Sequence, residues 1–527
     1  MGRIIGIDLG TTNSVASYWS GRRPKAILNT NNSPLTPSMV ALDQGIRYVG
    51  EDAKDRRYKG SRNVIYSVKR FIGRDYDDPK TKAALEKMSY QGRKAENGEV
   101  EIELGESFYS PIEISAMILD NLRKDAEQAL GENVTHAVIT VPAYFNQRQK
   151  NATREAGQLA GLKVLRIINE PTASALSFGL EENLTEPQHI LVYDFGGGTF
   201  DVSILLVSNG NFDVLNIEGD NFLGGDDFDN LIIDKMLEQL EKEAGEDYSQ
   251  DASIKNILKG RAEEIKIKLS REDMYRIVEA GLAKTKRNTP LNLDYTLTRA
   301  GFEKMIADKV KYSIEIIKRA LEKESLSPSD IDRVLLVGGT TRIPLIRERL
   351  KEMFQNKIEI DVDPMQSVAL GAAIQTAIPI EWVCASCGNV NEGTEESCRS
   401  CKHPQDEIDD DTPMISCEIC GKKNRQGRLV CWSCNAKIGA VIEGVIDHNQ
   451  QHSEDAVIRI GDITAKNLGV EVLIKDKNSS LTVIIREGTP YPTHKNLRKE
   501  LYTSIAGREW FRVPIYEVEQ LEMGKDK

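Results

Sequence analysis

Two stretches of this chain carry the same chemical pattern, and the repetition limits what it can fold into. Ile4, Ile5 and Ile7 run into Asp8-Leu9-Gly10-Thr11-Thr12-Asn13, and the run His189–Tyr193 leads into Asp194-Phe195-Gly196-Gly197-Gly198-Thr199. A third strand-like run ends in Val337-Gly338-Gly339-Thr340-Thr341. A buried strand excludes an unpaired carboxylate, so each aspartate belongs at a strand tip, facing something outside. Two related halves facing each other would place both aspartates in a single cleft.

The residues around these aspartates specify what the cleft would hold. Glycines at strand ends let backbone N–H groups approach an anion, and neighbouring threonine hydroxyls add donors suited to phosphate oxygens. Two such loops can clamp a polyphosphate. Carboxylates beside phosphate would repel it unless a cation intervened, and Mg2+ held through waters by Asp8 and Asp194 resolves the conflict.

The wider chain supports a large α/β unit. Its 527 residues exceed what one core can organise and predict several domains. Up to about residue 380, short β-rich runs at 136–142, 163–169, 189–196 and 333–339 alternate with helix-periodic segments at 112–130, 227–244, 253–270 and 301–323. Lys plus Arg is 69 against 81 Asp plus Glu, a net charge of −12 that argues against bulk adhesion to nucleic acid or anionic membrane. No run approaches 18 apolar residues and no signal-type leader opens the chain, so it reads as a soluble, cytoplasmic protein without a membrane partner.

The eight cysteines are confined to one region. Cys384-x2-Cys387-x10-Cys398-x2-Cys401 is followed by Cys417-x2-Cys420-x10-Cys431-x2-Cys434. Paired CxxC knuckles supply four thiolates in tetrahedral geometry, so two structural Zn2+ ions are expected. A pair of redox CxxC motifs is the competing assignment, but it needs a thioredoxin-like unit that the pattern lacks. Between the knuckle sets lies an acidic connector, and from about Ala456 the pattern is β only, as in an antiparallel domain.

The segments IGIDLGTTNS, VKRFIGRD, VPAYFNQRQKNATREAG, IINEPTASALSFG, VYDFGGGTFDVS, FLGGDDFDN and VLLVGGTTRIP occur in this order over residues 3–376. Together they resemble the ATPase domain of the 70-kDa heat-shock protein (DnaK-type) chaperones. The resemblance implies an actin-like two-lobed ATPase domain, with ATP/ADP, Mg2+ and K+ as its ligands. On the matching positions it implies that Thr11 and Thr12 donate to the β- and γ-phosphates, with Gly10 and Asn13 in the same loop and Gly196, Gly197, Gly198 and Thr199 opposite. Asp8 and Asp194 would hold hydrated Mg2+ with flanking K+. Lys69 would position the attacking water, with Glu170, Asp194, Asp201 and Thr199 completing the catalytic set. Gly224 and Gly225 would let backbone approach the phosphates, Glu263, Lys266 and Ser270 would form the adenosine-contacting helix face, and Gly338, Gly339 and Arg342 would flank the adenosine.

The cysteine module resembles Ran-binding-protein-type zinc fingers, which bind ubiquitin or single-stranded RNA. Lys422, Lys423, Arg425, Arg428 and Trp432 make the second finger compatible with nucleic acid, and a protein-docking knob is the other reading. Residues 462–527 resemble the start of the chaperones' β-sandwich peptide-binding domain, which holds extended apolar peptide. The expected organisation is therefore an ATPase domain at 1–380, fingers at 381–404 and 414–438 around an acidic linker at 405–413, a linker with a first strand at 439–461, and a partial antiparallel β-sandwich at 462–527. Two function classes follow. One is an ATP-dependent chaperone for unfolded polypeptide, with a J-domain co-chaperone and a nucleotide exchange factor as implied partners and fingers for targeting. The other is a nucleotide-dependent scaffold whose protein or RNA partner the fingers select.

Overall fold

The computed structural model describes residues 3–182, 186–208, 211–285, 289–359 and 363–377, and beyond them only short strand segments between 381 and 518. Two sheets with the same strand plan organise the described part. In the first, strand Arg3–Asp8 lies parallel to Val134–Val141, which lies parallel to Lys163–Asn169. On its other side Arg3–Asp8 pairs antiparallel with Asn13–Trp19, and that strand with Pro24–Ala26. In the second, Gln188–Phe195 lies parallel to Arg333–Val337, which lies parallel to Ile358–Glu359, and antiparallel Phe200–Ser208 and Asn211–Asp220 follow. The topological order is identical, so the repeat in the sequence is a repeat in the fold.

Each sheet carries its own apolar core. In the second, Tyr193, Phe195, Phe200, Phe228 and Phe302 form a ladder of edge-on or tilted rings, with centroids 4.9 Å apart for Tyr193–Phe200 and 4.8 Å for Phe195–Phe200. Such pairs add roughly 0.5–1.5 kcal/mol each beyond their burial. The ladder stands directly under Gly196–Thr199 and stiffens the strands that present that loop.

Two helices, Glu170–Glu182 and Ser367–Thr376, pack between the sheets. Their approach is so close that a Cβ on Gly371 would meet the Ala173 carbonyl oxygen at 1.7 Å, so only glycine fits there. Ser17 extends the junction by donating to the carbonyls of Gly6 and Ala369. Helix Pro111–Leu130 flanks the first sheet and opens with a reciprocal Ser110–Glu113 capping box. Helix Ala252–Leu269 is capped by Asp251, whose carboxylate accepts the Ser253 and Ile254 N–H groups.

In the later segments, Glu381–Val383 pairs with Val390–Glu392 and Met414–Ser416 with Lys423–Arg425. Strand Val457–Ile463 lies parallel to Asn211–Asp220, and Ala440–Glu443 pairs antiparallel with Val457–Ile463 as the last strand of the second sheet. Strand Asn467–Val472 pairs antiparallel with Ser480–Ile485 and Ile515–Val518. All eight cysteines lie outside the described residues, as does the acidic connector. Among the described residues, no helix is long and apolar enough to cross a membrane.

Candidate active site

The strand plan delivers both aspartates to one opening. Register places Asp8 beside Thr140 on one side and Val15 on the other, and Asp194 beside Val337 and Asp201. Between the two halves lies a cavity of about 850 Å³. Its lining includes Asp8, Gly10, Thr11, Thr12, Asn13, Lys69, Glu170, Asp194, Gly196, Gly197, Thr199, Glu263, Lys266, Ser270, Gly338, Gly339 and Arg342. Gly198, Asp201, Gly224 and Gly225 do not line it. Asp201 is buried behind the second loop, and the Gly224 and Gly225 N–H groups are already engaged by Asp227 Oδ2 and the Gly196 carbonyl.

The two loops interlock across the cleft. A Cβ on Gly197 would fall 1.8 Å from Thr12 Oγ1, and one on Gly198 would fall 2.7 Å from Thr11 Oγ1. The threonines of one half therefore require the glycines of the other. Thr12 Oγ1 is buried without a hydrogen-bond partner among the described residues, a donor held ready for an oxygen from outside the chain. The first loop is braced by Ser38, whose hydroxyl donates to the Gly10 carbonyl at 2.8 Å and shares a 2.9 Å bond with Ser14. The second is braced through its carbonyls: Gly196 O accepts the Thr340 hydroxyl at 2.8 Å and the Gly225 N–H at 3.0 Å.

The electrostatics are those of a site that awaits a cation. Burial first, and then Glu170, push the Asp8 carboxyl up to about 7, eased by Lys69 and by a 3.1 Å bond from the Thr140 hydroxyl. Burial, then Glu170, raise Asp201 to about 8. Neither of its oxygens has a partner of ordinary hydrogen-bond geometry among the described residues, and Lys69 and then the Tyr144 amide ease its charge. Asp194 is held well above the usual carboxylate range by burial and by Glu170, Asp201 and Asp8. Lys69 is the positive group among them. Its Nζ donates to Glu170 Oε1 at 2.6 Å, both side chains buried, and the surrounding carboxylates keep it protonated although burial alone would lower its pKa.

These features fit a nucleotide triphosphate with Mg2+: crowded carboxylates that need neutralising, an orphaned hydroxyl, and glycine-lined walls that admit no side chain. The cleft is closed by further pairs between the halves that the sequence did not disclose. Arg57 donates to Glu263 at 2.6 Å, Arg70 to Asp227 at 2.6 Å, and Ser67 to Asp226. Lys259 Nζ then ties Asp226 to Asp229 at 2.8 and 3.0 Å. Burial alone would raise the Glu263 carboxyl, but Arg57 and Lys266 outweigh it and lower it. Glu263 was expected on the adenosine-contacting helix face and Asp226 and Asp227 lie in FLGGDDFDN, but charge without proximity identified none of their partners. The family model described as Hsp70 protein matches residues 4–381.

Proposed function

From the premise that this chain belongs to the Hsp70 family, the family of ATP-hydrolysing chaperones, we propose that the cleft hydrolyses ATP to ADP and phosphate with Mg2+ and that turnover controls binding of unfolded polypeptide. The observation that carries this reading is the buried Lys69–Glu170 pair set among three carboxylates beside two interlocked phosphate-type loops.

In this reading the Thr11 and Thr12 hydroxyls and the N–H groups of the Gly196–Thr199 loop donate to the phosphates. Asp8 and Asp194 would hold hydrated Mg2+, which neutralises phosphate charge, with K+ alongside. Lys69, fixed by Glu170, orients the attacking water. Asp201 accepts from water in the same network through its open oxygens, and Thr199 donates at the γ-phosphate side. Glu263, Lys266 and Ser270 meet the ribose and base from one wall, and Gly338, Gly339 and Arg342 meet them from the other. Gly224 and Gly225 act by holding the second loop, since their own N–H groups are spent. Such chemistry asks for positioning and charge stabilisation more than covalent work.

The two cysteine sets would each hold one Zn2+. Their 33-residue offset is matched by the strand pairs before and between the knuckles, where Glu381↔Glu392 and Met414↔Arg425 are likewise 33 residues apart. The fingers would then target the chaperone to a protein or RNA partner. Metal analysis of the purified chain should return two zinc ions.

The function is tested by single-turnover ATP hydrolysis with and without an unfolded apolar peptide. Acceleration by peptide supports the chaperone reading. Hydrolysis indifferent to peptide supports the nucleotide-dependent scaffold instead, and loss of all nucleotide uptake in magnesium buffer sinks both.

A further inference from the structure

A nucleotide with its phosphates among Thr11, Thr12 and Gly196–Thr199 must put its base at the far end of the cleft. There the lining changes to Ile267 and Ser270 on one wall and Gly339, Ile343, Met365 and Val368 on the other. Met365 lies against Gly339 so closely that a Cβ there would fall 2.7 Å from its sulfur. Its place is fixed by Asp363, whose Oδ1 accepts the Met365 N–H at 3.0 Å and the Arg342 guanidinium at 2.7 Å. Asp363 Oδ2 accepts the Gln366 amide at 2.8 Å. Burial would raise the Asp363 carboxyl, yet these donors together lower it.

Asp363 is thus filled by three donors and balanced by Arg342. Glu263, the next carboxylate along the wall, is locked by Arg57. Asp363 and Glu263 are therefore both already engaged within the chain. A thioether is a weak acceptor but a polarizable surface, suited to any purine face. The Ser270 hydroxyl donates to the Lys266 carbonyl at 3.2 Å and can rotate to suit either a donor or an acceptor.

We propose that Met365 sets the base selectivity of this cleft. Its thioether, set against Gly339 on the cavity wall, makes the site hold purines by contact, so that GTP is taken nearly as readily as ATP. A pocket that reads shape alone discriminates weakly, whereas one that must satisfy a buried hydrogen bond discriminates strongly. The proposal rests on the cleft being a nucleotide site and adds what that site does not distinguish.

The experiment is a calorimetric titration of the full chain with MgATP and with MgGTP. The two dissociation constants should agree within about fivefold, the range left when no charge-assisted hydrogen bond separates them. Met365→Asp supplies an acceptor for the 6-amino group and should shift the ratio about tenfold toward ATP. Met365→Leu keeps the apolar contact and should leave the ratio unchanged. ATP preferred by about a hundredfold or more in the unaltered protein overturns the proposal, as does a ratio unmoved in Met365→Asp. Both leave the nucleotide cleft standing. Failure of either nucleotide to bind the unaltered chain overturns the cleft and the proposal together. If the aspartate variant does not fold, the ratio in the unaltered protein decides.

Discussion

The two halves of the cleft share a backbone and differ in what they ask of a ligand. Asp194 follows Asp8 by 186 positions and Asp201 follows Val15 by the same interval, so the two turns superpose residue for residue in register. At equivalent points beside the aspartate, the first half has Thr140 and Val15 and the second has Val337 and Asp201. Thr140 donates to Asp8 and eases its charge, whereas the Val337 side chain has nothing to donate to Asp194, which burial, Glu170, Asp201 and Asp8 hold well above the usual carboxylate range. In the loops the bias reverses: Thr11 and Thr12 of the first half stand at the positions of Gly197 and Gly198 in the second. One half supplies side-chain donors, and the other supplies backbone amides and unsatisfied acid. A duplicated fold has become asymmetric through four or five side chains, and Lys69 from the first half offsets the surplus acid of the second.

That asymmetry can be broken most severely at Lys69. Lys69→Ala removes the cation and leaves Glu170 buried without its partner, and single-turnover hydrolysis should fall by about 10²–10³-fold, the usual cost of one preorganised donor, while nucleotide still binds. An unchanged rate would remove Lys69 from the chemistry.

Next in size is the brace between the halves. Glu263→Gln breaks a buried pair with Arg57, a loss of about 3–5 kcal/mol to the closed form, so labelled nucleotide should dissociate at least tenfold faster in stopped flow. The same pair gives a pH effect of known sign. Because the Glu263 pKa is lowered on folding, its contribution is present above the unfolded value and lost as pH falls through the folded one. Nucleotide release should therefore quicken in acid.

A smaller effect isolates the donor half. Thr12→Val removes a hydroxyl with no partner in the chain, so the apo protein should melt unchanged while ATP affinity drops about fivefold to tenfold, one net hydrogen bond. Serine at the same position should restore binding.

The smallest is a proton count on the acid half. Asp8 and Asp201 bind protons more tightly when folded, so apo stability should decline as pH rises from their ordinary value of 3.8 through about 7 and about 8. Mg2+ with nucleotide needs the ionised forms and should flatten that decline while releasing protons, which calorimetry in buffers of different ionisation enthalpy would register.

Much of the fold was legible beforehand because local pattern set it. Lys163–Asn169 is the strand expected at 163–169, and the helix expected at 112–130 begins at Pro111 because Ser110 and Glu113 cap it. Lys69 and Arg70 are the instructive exception. A basic run with Arg74 is by default solvated, yet both side chains are almost wholly buried, each against a carboxylate more than a hundred positions away. Nothing local announces such a pairing. At the Asp363–Met365 turn the sequence showed Met365 as a departure from the family pattern, but not that it lies against Gly339 or that Asp363 pairs with Arg342.

The sequence by itself determined the two aspartate-bearing turns and the strands that carry them, because strand period and glycine freedom act over a few residues. Only tertiary structure decided which charges meet, which loop supplies donors and which supplies acid, and which glycine hydrogens are spent on holding a loop in place. Those outcomes depend on burial and on distances between residues remote in sequence, where desolvation makes an unpaired charge costly and so selects its partner.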